Sequence, residues 1–350
     1  MRTITVNASK EYSVKIGNGL LSIMGEQIAA VVPGRTAAVI SDSNVWPIYG
    51  EKAMKSLENT GFSVCSFVFK AGESSKNGET YLRLLNFLAE NHLTRSDCLI
   101  ALGGGVVGDL TGFAASTYLR GISYIQVPMT LLAMVDSAVG GKTSIDLPAG
   151  KNLAGAFYQP SLVLCDTDVL DTLPDAVFID GCAEVIKYGI LYDRELFAHL
   201  ETHGPGFCRE MVISQCIEWK KNAVMQDEFD IGIRRMLNLG HTIGHSIEKA
   251  TNYTISHGAA VAIGISMISR SAASTGICQA DICQQIDALL KQFGLPVSTN
   301  ISLDILVQYA LADKKRSGDT ITLVVPATIG CCKLLNLPIS GLKNFVKAGM

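Results

Sequence analysis

Two hydrophobic patterns divide this chain, one in each half. In the first half, short β-branched and aromatic runs alternate with segments in which apolar residues recur every three or four positions. The predicted strands are 36–40, 63–69, 98–102, 123–127 and 162–166, and the predicted helices between them are 50–60 and one around 81–88. This alternation is typical of an α/β domain with a parallel, Rossmann-like sheet. Ligands should therefore bind at the carboxyl ends of the strands.

In the second half, long helical periodicities replace the strands. The predicted helices are 183–192, 208–227, 233–250, 258–275, 280–293 and 303–312. One late strand or hairpin is expected at 320–325. We therefore expect an α/β domain at 1–172 and a mainly α-helical domain at 173–350, with a hinge at Pro174.

The composition narrows the class of protein. Of 350 residues, 48% are hydrophobic and 17% are charged, which is enough apolar material for substantial cores. A formal net charge of −3, without a dense run of Lys and Arg, argues against a nucleic-acid partner. We see neither an apolar leader nor an uncharged apolar stretch of roughly 18 residues, and expect a cytoplasmic protein without a membrane partner. The ten cysteines form no C-x-x-C pair and are interpreted as reduced and buried.

The first candidate site is a glycine turn. Gly103, Gly105 and Gly108 form a G-x-G-x-x-G pattern directly after a predicted strand. Where such a turn opens a helix, unpaired N–H groups and the helix dipole favour a phosphate. A dinucleotide site usually also has an acid at the end of the next strand, which is missing here, so Asp42 on an earlier strand is the candidate. The alternative is a turn that only allows close packing of helix and strand.

A second glycine turn, at 136–143, differs from a P-loop by one residue. Asp136 stands where the P-loop pattern needs glycine, and its carboxylate would repel a triphosphate. Lys142 in this turn, and Lys151 beside Asn152 in another glycine-flanked loop, are candidates for binding phosphate or carboxylate. The alternative is that both lysines are solvated.

The strongest metal signal is a group of histidines. His241 and His245 are four residues apart and share a helical face, and His257 opens the next predicted helix. A zinc-type ion would need one more ligand, commonly a carboxylate, and Glu184 is the first candidate. The spacing alone leaves three others open: Glu218, Asp227 and Glu248. The alternative is that the histidines are core residues bonded to backbone carbonyls.

The predicted helix at 233–250 also carries Arg234 and Asn238 on the face of the histidines. A cation, an amide and imidazoles that point one way indicate a polar ligand site rather than a core. Lys187 and Lys220, taken singly, are more typical of solvated surface charges.

Six segments match the motifs of one known family in order. They are 103–109 (GGGVVGD), 136–143 (DSAVGGKT), 150–157 (GKNLAGAF), 183–187 (AEVIK), 237–245 (LNLGHTIGH) and 257–258 (HG). The chain thereby resembles the 3-dehydroquinate synthases from about Asp42 to Lys315. The resemblance implies a homodimeric sugar-phosphate cyclase that binds NAD in the N-terminal domain and zinc or cobalt at the domain interface, with its active site in the cleft.

The implied reaction belongs to the shikimate pathway. It converts 3-deoxy-D-arabino-heptulosonate 7-phosphate to 3-dehydroquinate and phosphate. The steps are transient oxidation by NAD, elimination of phosphate, reduction, ring opening and aldol closure.

The resemblance also implies a role for each matching residue. The metal ligands are Glu184, His241 and His257, and His245 is an acid/base residue. The substrate-binding residues are Lys142, Asn152, Lys187, Lys220, Arg234, Asn238 and either Lys314 or Lys315. The NAD contacts are Asp42, Asn44, Glu73, Lys76, Gly104, Gly105, Val106, Asp109, Thr130, Lys151 and Thr172, with Asp136 at the junction of cofactor and substrate.

Three residues depart from the family pattern. Met129 stands where threonine is frequent, Ser144 replaces a common glycine, and Ala259 replaces a common glutamate. None of them removes an implied ligand, so we expect activity to be retained. The rival functions are another sugar-phosphate cyclase, which makes an inosose or a valiolone, a metal-dependent polyol dehydrogenase of related fold, and a non-catalytic NAD or metal sensor.

Overall fold

The computed structural model describes residues 1–312, 316–317 and 319–350. The chain divides into two compact units. Unit 1 contains Met1–Leu173 and Arg209–Phe229, and unit 2 contains Pro174–Cys208 and Asp230–Met350. Within the described residues, no helix combines the length and the apolar character needed to cross a membrane.

Unit 1 consists of a seven-stranded sheet, a hairpin and covering helices. Its strands are β1 (Arg2–Asn7), β2 (Glu11–Gly17), β3 (Thr36–Asp42), β4 (Ser63–Phe69), β5 (Cys98–Gly103), β6 (Ser123–Pro128), β7 (Lys142–Leu147), β8 (Gly150–Phe157) and β9 (Leu162–Asp166). Its α-helices are α1 (Met24–Ala29), α2 (Trp46–Glu58), α3 (Gly78–Glu90), α4 (Gly105–Thr117) and α7 (Arg209–Gln226). The sheet has the order β1-β2-β9-β6-β5-β3-β4, and β7 pairs with β8.

The sheet of unit 1 confirms the predicted parallel architecture. Strand β1 pairs antiparallel with β2, and the other neighbouring strands are parallel. Strand β5, one of the inner strands, is buried at every position, as expected for a parallel strand covered on both faces. On one face, Leu99 and Ala101 join a core with Leu84 of α3 and Leu110 of α4.

The order of the strands fixes where a ligand can bind. The chain passes from β3 to β4 towards one edge of the sheet, and from β5 to β6 towards the other. In open α/β sheets, such a reversal leaves a crevice outside the carboxyl ends of the two adjacent strands at which it occurs. These ends are Asp42 on β3 and Gly103 on β5.

The prediction of a glycine-flanked loop around Asn152 is wrong, because this segment is part of strand β8. The antiparallel pairing of β7 with β8 is irregular between Ile145 and Leu147. Asn152 has a φ of 56°, in the left-handed region, where the regular pairing is interrupted.

The segment 209–229, which contains helix α7, belongs to unit 1. The predicted first domain ends at residue 172 and does not include this segment. The helix packs against β1 and β2, and its Lys220 Nζ lies 2.7 Å from Asp136 Oδ1. Glu228, just after the helix, accepts hydrogen bonds from Ser9 N at 2.7 Å and from Gln159 Nε2 at 2.8 Å. These partners are far away in sequence, so local patterns do not reveal the assignment.

Unit 2 confirms the predicted, mainly helical second half. Its α-helices are α5 (Asp175–Tyr192), α6 (Arg194–His203), α8 (His241–Ala250), α9 (His257–Ser274), α10 (Ala280–Gln292), α11 (Leu303–Ala312) and α12 (Ile339–Lys347). A three-stranded antiparallel sheet of β10 (Arg316–Ser317), β11 (Thr320–Thr328) and β12 (Cys331–Pro338) stands where one strand or hairpin was expected.

The single helix predicted at 233–250 is wrong. A 3-10 helix at Ile233–Asn238 is followed by a turn, and α8 starts at His241. Gly240 causes the break, because it has a φ of 78°, which side chains other than glycine rarely adopt. Arg234 and Asn238 therefore do not share a helical face with the histidines.

Candidate metal centre and nucleotide-binding edge

Three side chains of unit 2 converge on one point. Glu184 lies in the middle of α5, and His241 and His257 are the first residues of α8 and α9. His241 Nε2 is 3.5 Å and His257 Nε2 is 3.4 Å from Glu184 Oε1. The three potential ligand atoms lie within 4.8 Å of one another. This is a set of one carboxylate and two imidazoles that matches a catalytic zinc site with one open position.

The other ring nitrogen of each histidine also has a partner. His241 Nδ1 lies 3.0 Å from the carbonyl oxygen of Leu239. Because a carbonyl can only accept, Nδ1 donates and the lone pair of a neutral ring is on Nε2. His257 Nδ1 faces Glu248 Oε1 at 3.6 Å. Such outer partners orient histidines towards a metal.

Close packing of backbones places His257 beside Glu184. A Cβ atom on Gly258 would lie 1.9 Å from the carbonyl oxygen of Asp180, one turn before Glu184 on α5. The N–H of Ala259 also donates to Asp180 Oδ1 at 3.1 Å. The start of α9 is thereby held against α5, and only glycine fits at position 258.

The electrostatics of this centre differ between the two histidines. Glu184 is fully buried and forms an ion pair with Lys187. Burial lowers the pKa of His241 well below its usual value. Burial also lowers that of His257, but Glu184 and Glu248 outweigh it and raise its pKa to about 10.

A second possible ligand group consists of His245, Glu248 and His257. It shares His257 with the first group, and His245 is exposed. We prefer the group with Glu184, because the Nε2 atoms of both helix-starting histidines face that carboxylate.

The other candidate residues of unit 2 differ in exposure. Arg234 is only 2% exposed and Lys187 only 1%. Asn238 is half-buried, and its Nδ2 donates to the carbonyl oxygen of Arg235 at 3.1 Å. Lys314 and Lys315 lie outside the described residues.

The glycine turn of unit 1 forms the start of α4 at the sheet edge defined above. A Cβ atom on Gly104 would lie 3.3 Å from Thr130 Cγ2, so the turn packs closely against the segment after β6. The first turn of α4 has no acidic side chain, and its N–H groups can bind an anion. Val106 lies in this turn.

Asp42 ends β3 beside this turn and has two local partners. Its Oδ1 accepts hydrogen bonds from the N–H groups of Asn44 at 2.8 Å and Val45 at 3.0 Å. Thr172, which follows β9, has its hydroxyl 2.6 Å from that of Tyr49 on α2.

Lys76 is the centre of a polar cluster in unit 1. Only 4% of this residue is exposed. Its Nζ lies 2.9 Å from Glu73 Oε1, 3.2 Å from Asp109 Oδ2 and 2.7 Å from Asn152 Oδ1. The three N–H donors of the ammonium thus match three oxygen acceptors. Lys151 Nζ lies 3.8 Å from Glu73 Oε1.

Burial and the neighbouring lysines shift the pKa values of this cluster's carboxylates in different directions. Burial lowers the pKa of Lys76, but Asp109 and Glu73 outweigh it and raise that pKa above its usual value. Burial raises the pKa of Asp109 to about 6, although Lys76 opposes the shift. For Glu73, burial is outweighed by Lys76 and Lys151, and the pKa is lowered.

Comparison with known proteins identifies the family. The N-terminal and C-terminal models of 3-dehydroquinate synthase match residues 66–180 and 181–316. A 3-dehydroquinate synthase of Clostridium kluyveri is 42% identical over an alignment of 358 positions, which covers 99% of this chain and 98% of the relative. The chain belongs to the 3-dehydroquinate synthase family.

Two solved structures share this fold. The 2-epi-5-epi-valiolone synthase of Streptomyces hygroscopicus, with NAD+ and Zn2+ bound, has a TM-score of 0.89 at 25% identity. The match covers 100% of this chain and 98% of that one. A 2-deoxy-scyllo-inosose synthase, complexed with carbaglucose-6-phosphate, NAD+ and Co2+, has a TM-score of 0.90 at 24% identity, with 100% of both chains covered. These likenesses confirm the predicted α/β and helical two-domain fold.

The departures from the 3-dehydroquinate synthase pattern have identifiable contacts. The N–H of Met129 donates to the carbonyl oxygen of Gly103 at 2.9 Å, which is a backbone contact that the side chain does not alter. Ala259 likewise contacts α5 through its backbone. Ser144 is different, because its Oγ lies 2.9 Å from Asn152 Oδ1.

Two acidic residues acquire contacts that sequence reasoning missed. Asp146 Oδ1 accepts a hydrogen bond from the N–H of Asn152 at 2.8 Å. Glu248 was considered as a metal ligand, but it faces the outer nitrogen of His257. The sequence signal for Glu248 is its spacing of seven residues from His241, which places both on one face of α8. No sequence signal points to Asp146.

Proposed function

We propose that this chain converts 3-deoxy-D-arabino-heptulosonate 7-phosphate to 3-dehydroquinate and phosphate, using NAD and a divalent metal, zinc or cobalt. The observation that carries the proposal is the convergence of Glu184, His241 and His257 in a chain 42% identical to a 3-dehydroquinate synthase. The enzyme would be a phosphate-eliminating carbon–oxygen lyase of the shikimate pathway. We also propose a cytoplasmic homodimer, and an active site shared by two domains stays a prediction.

The metal would be held by Glu184 Oε1 and by the Nε2 atoms of His241 and His257. A bound metal supplies a Lewis acid for the hydroxyl that is oxidised, and NAD supplies the hydride acceptor. Glu248 and the Leu239 carbonyl orient the two imidazoles. His245, whose ring centre is 5.5 Å from that of His241, would move protons as an acid/base residue.

NAD would bind at the carboxyl edge of the sheet in unit 1. The N–H groups at the start of α4 suit its pyrophosphate, and Asp42 suits a ribose hydroxyl. The further proposed contacts are Asn44, Glu73, Lys76, Gly104, Gly105, Val106, Asp109, Thr130, Asp136, Lys151 and Thr172. The bound NAD+ of the valiolone synthase, whose fold this chain shares, supports this assignment.

The substrate carries a phosphate and a carboxylate, which require several cationic and amide donors. The proposed donors are Lys142, Asn152, Lys187, Lys220, Arg234, Asn238 and either Lys314 or Lys315. Burial strengthens such charge-assisted hydrogen bonds, and Lys187, Lys220 and Arg234 are buried. These groups would bind the anions, orient the ring and stabilise the departing phosphate.

Phosphate release from purified protein tests the proposal. Release is expected with the heptulosonate phosphate, NAD and metal together, and it should stop after chelation and return with Zn2+ or Co2+. Sedoheptulose 7-phosphate and glucose 6-phosphate, which lack the carboxylate, serve as control substrates. Absence of release from the heptulosonate with both cofactors present would refute the proposal, and release from a control substrate alone would favour a rival cyclase.

A further inference from the structure

The side chain of Asn152 on β8 is oriented by two donors. Ser144 Oγ on β7 lies 2.9 Å, and Lys76 Nζ 2.7 Å, from Asn152 Oδ1. An ammonium can only donate, so the amide atom that faces Lys76 must be the oxygen. The hydroxyl of Ser144, which contacts the same oxygen, then donates as well.

The backbone of Asn152 is also held in an uncommon conformation. Its φ of 56° lies in the left-handed region, which Asn tolerates better than most residues other than glycine. Its N–H donates to Asp146 Oδ1 at 2.8 Å. The interrupted pairing between β7 and β8 occurs here, and such bulges redirect a side chain.

The orientation leaves the other end of the amide available. Asn152 is exposed, and among the residues that the structure describes Asn152 Nδ2 has no acceptor. Ser144, by contrast, is only 9% exposed. Its hydroxyl therefore serves Asn152 rather than solvent.

We propose that Ser144 is a positioning residue, which holds Asn152 so that its Nδ2 group donates to an oxygen of the sugar-phosphate substrate. Lys76 and Asp146 hold the same residue. The proposal rests on the proposed function, in which Asn152 binds substrate. Holding the amide before binding reduces the ordering cost when the substrate arrives. Glycine, common at this position in the family pattern, cannot make this contact.

The Ser144→Ala variant removes the hydroxyl and little else. Because one neutral hydrogen bond is lost, KM for the heptulosonate phosphate should rise roughly 3- to 10-fold, with kcat changed less than about twofold. If Ser144 acts through Asn152, adding Ser144→Ala to Asn152→Ala should leave KM unchanged relative to Asn152→Ala alone.

The neighbouring residue offers a matched control. Thr143 is also buried on β7, but its hydroxyl donates to the carbonyl oxygen of Ala156. Thr143→Val removes that hydroxyl at nearly constant volume and should leave KM within about twofold of wild type. A rise in KM for Asn152→Ala together with an unchanged KM for Ser144→Ala would overturn the proposal while leaving the function intact.

A measurement without turnover separates this proposal from the function. In protein labelled with 15N-asparagine, the side-chain amide signal of Asn152 is assigned by its loss in Asn152→Ala. Relaxation should show a lower order parameter for this amide in Ser144→Ala than in wild type or Thr143→Val. An unchanged order parameter would refute the role of Ser144, whether or not the protein releases phosphate.

Discussion

The polar clusters of the two units balance their charges in opposite ways. In unit 1, the single ammonium of Lys76 donates to three oxygens, so the cluster contains its own cation. In unit 2, Glu184, His241 and His257 bring three potential metal-ligand atoms within 4.8 Å of one another. Lys187 pairs with Glu184, but the two Nε2 atoms face the same carboxylate oxygen.

The difference separates a cluster that positions side chains from the one for which we propose a bound metal. The cluster of Lys76 is complete with protein atoms alone, and it can hold Asn152 and Asp109 before a ligand binds. In the cluster of Glu184, two carboxylates, Glu184 and Glu248, favour a positive charge on His257 and raise its pKa to about 10. Changes in unit 2 should therefore act on metal content, and changes in unit 1 on ligand affinity.

Glu184→Gln is the largest test of this contrast. The substitution keeps the volume and removes the charge that pairs with Lys187 and that would hold the proposed metal. We expect bound metal to fall from about one per chain to near zero and kcat to fall at least roughly a thousandfold. Loss of a direct metal ligand should lower metal affinity and activity more than loss of a hydrogen-bond partner of a ligand does. Metal analysis after dialysis measures the first effect and phosphate release the second.

Glu218→Gln is the matched control for this variant. Glu218 pairs with Lys221 on α7 and was one of the carboxylates left open by spacing. The metal content of the Glu218→Gln variant should equal that of the wild-type protein. Full metal content in Glu184→Gln would remove Glu184 from the ligand set.

The sequence predicts these clusters unevenly. The continuous apolar run of β5 and the alternation around it are sufficient for the parallel sheet, because burial on both faces leaves a local signature. The histidines are likewise visible as candidates from spacing and from the family motifs. The break at Gly240 is not visible, because the spacing of Arg234, Asn238 and His241 also fits an uninterrupted helix.

The contacts that complete both clusters depend on how helices pack and how strands pair. The approach of Gly258 to Asp180 joins two helices that are separate in sequence. The contact of Ser144 with Asn152 depends on an irregular strand pairing and a left-handed residue. Hydrophobic periodicity indicates which face of one element is buried, but it does not indicate which other element contacts that face.

Lys76→Met is the second test, and it breaks the cluster of unit 1. The loss leaves Glu73 and Asp109 without their shared cation. We expect the free energy of unfolding to fall by about 2 kcal/mol, less than for a fully buried pair because both carboxylates are partly exposed. The Kd for NAD should rise at least about tenfold, as measured by calorimetry, while bound metal stays at the wild-type level.

Lys70→Met controls for the loss of one positive charge. Lys70 directly follows β4 and is exposed. The NAD affinity of the Lys70→Met variant should equal that of the wild-type protein. If Lys76→Met bound NAD normally but lost its metal, the separation between the two clusters would be wrong.

Glu248→Gln is the smallest of the three tests and addresses how the metal centre is oriented. Glu248 faces His257 Nδ1 at 3.6 Å rather than the ligand atoms, so its charge should support the metal without holding it. Loss of an outer partner typically costs 10- to 100-fold in metal affinity, and at this distance we expect roughly tenfold. Competition with a chelator at fixed pH measures the affinity, and exposed Glu201→Gln is the control. A loss as complete as that of Glu184→Gln would make Glu248 a ligand and favour the alternative group with His245.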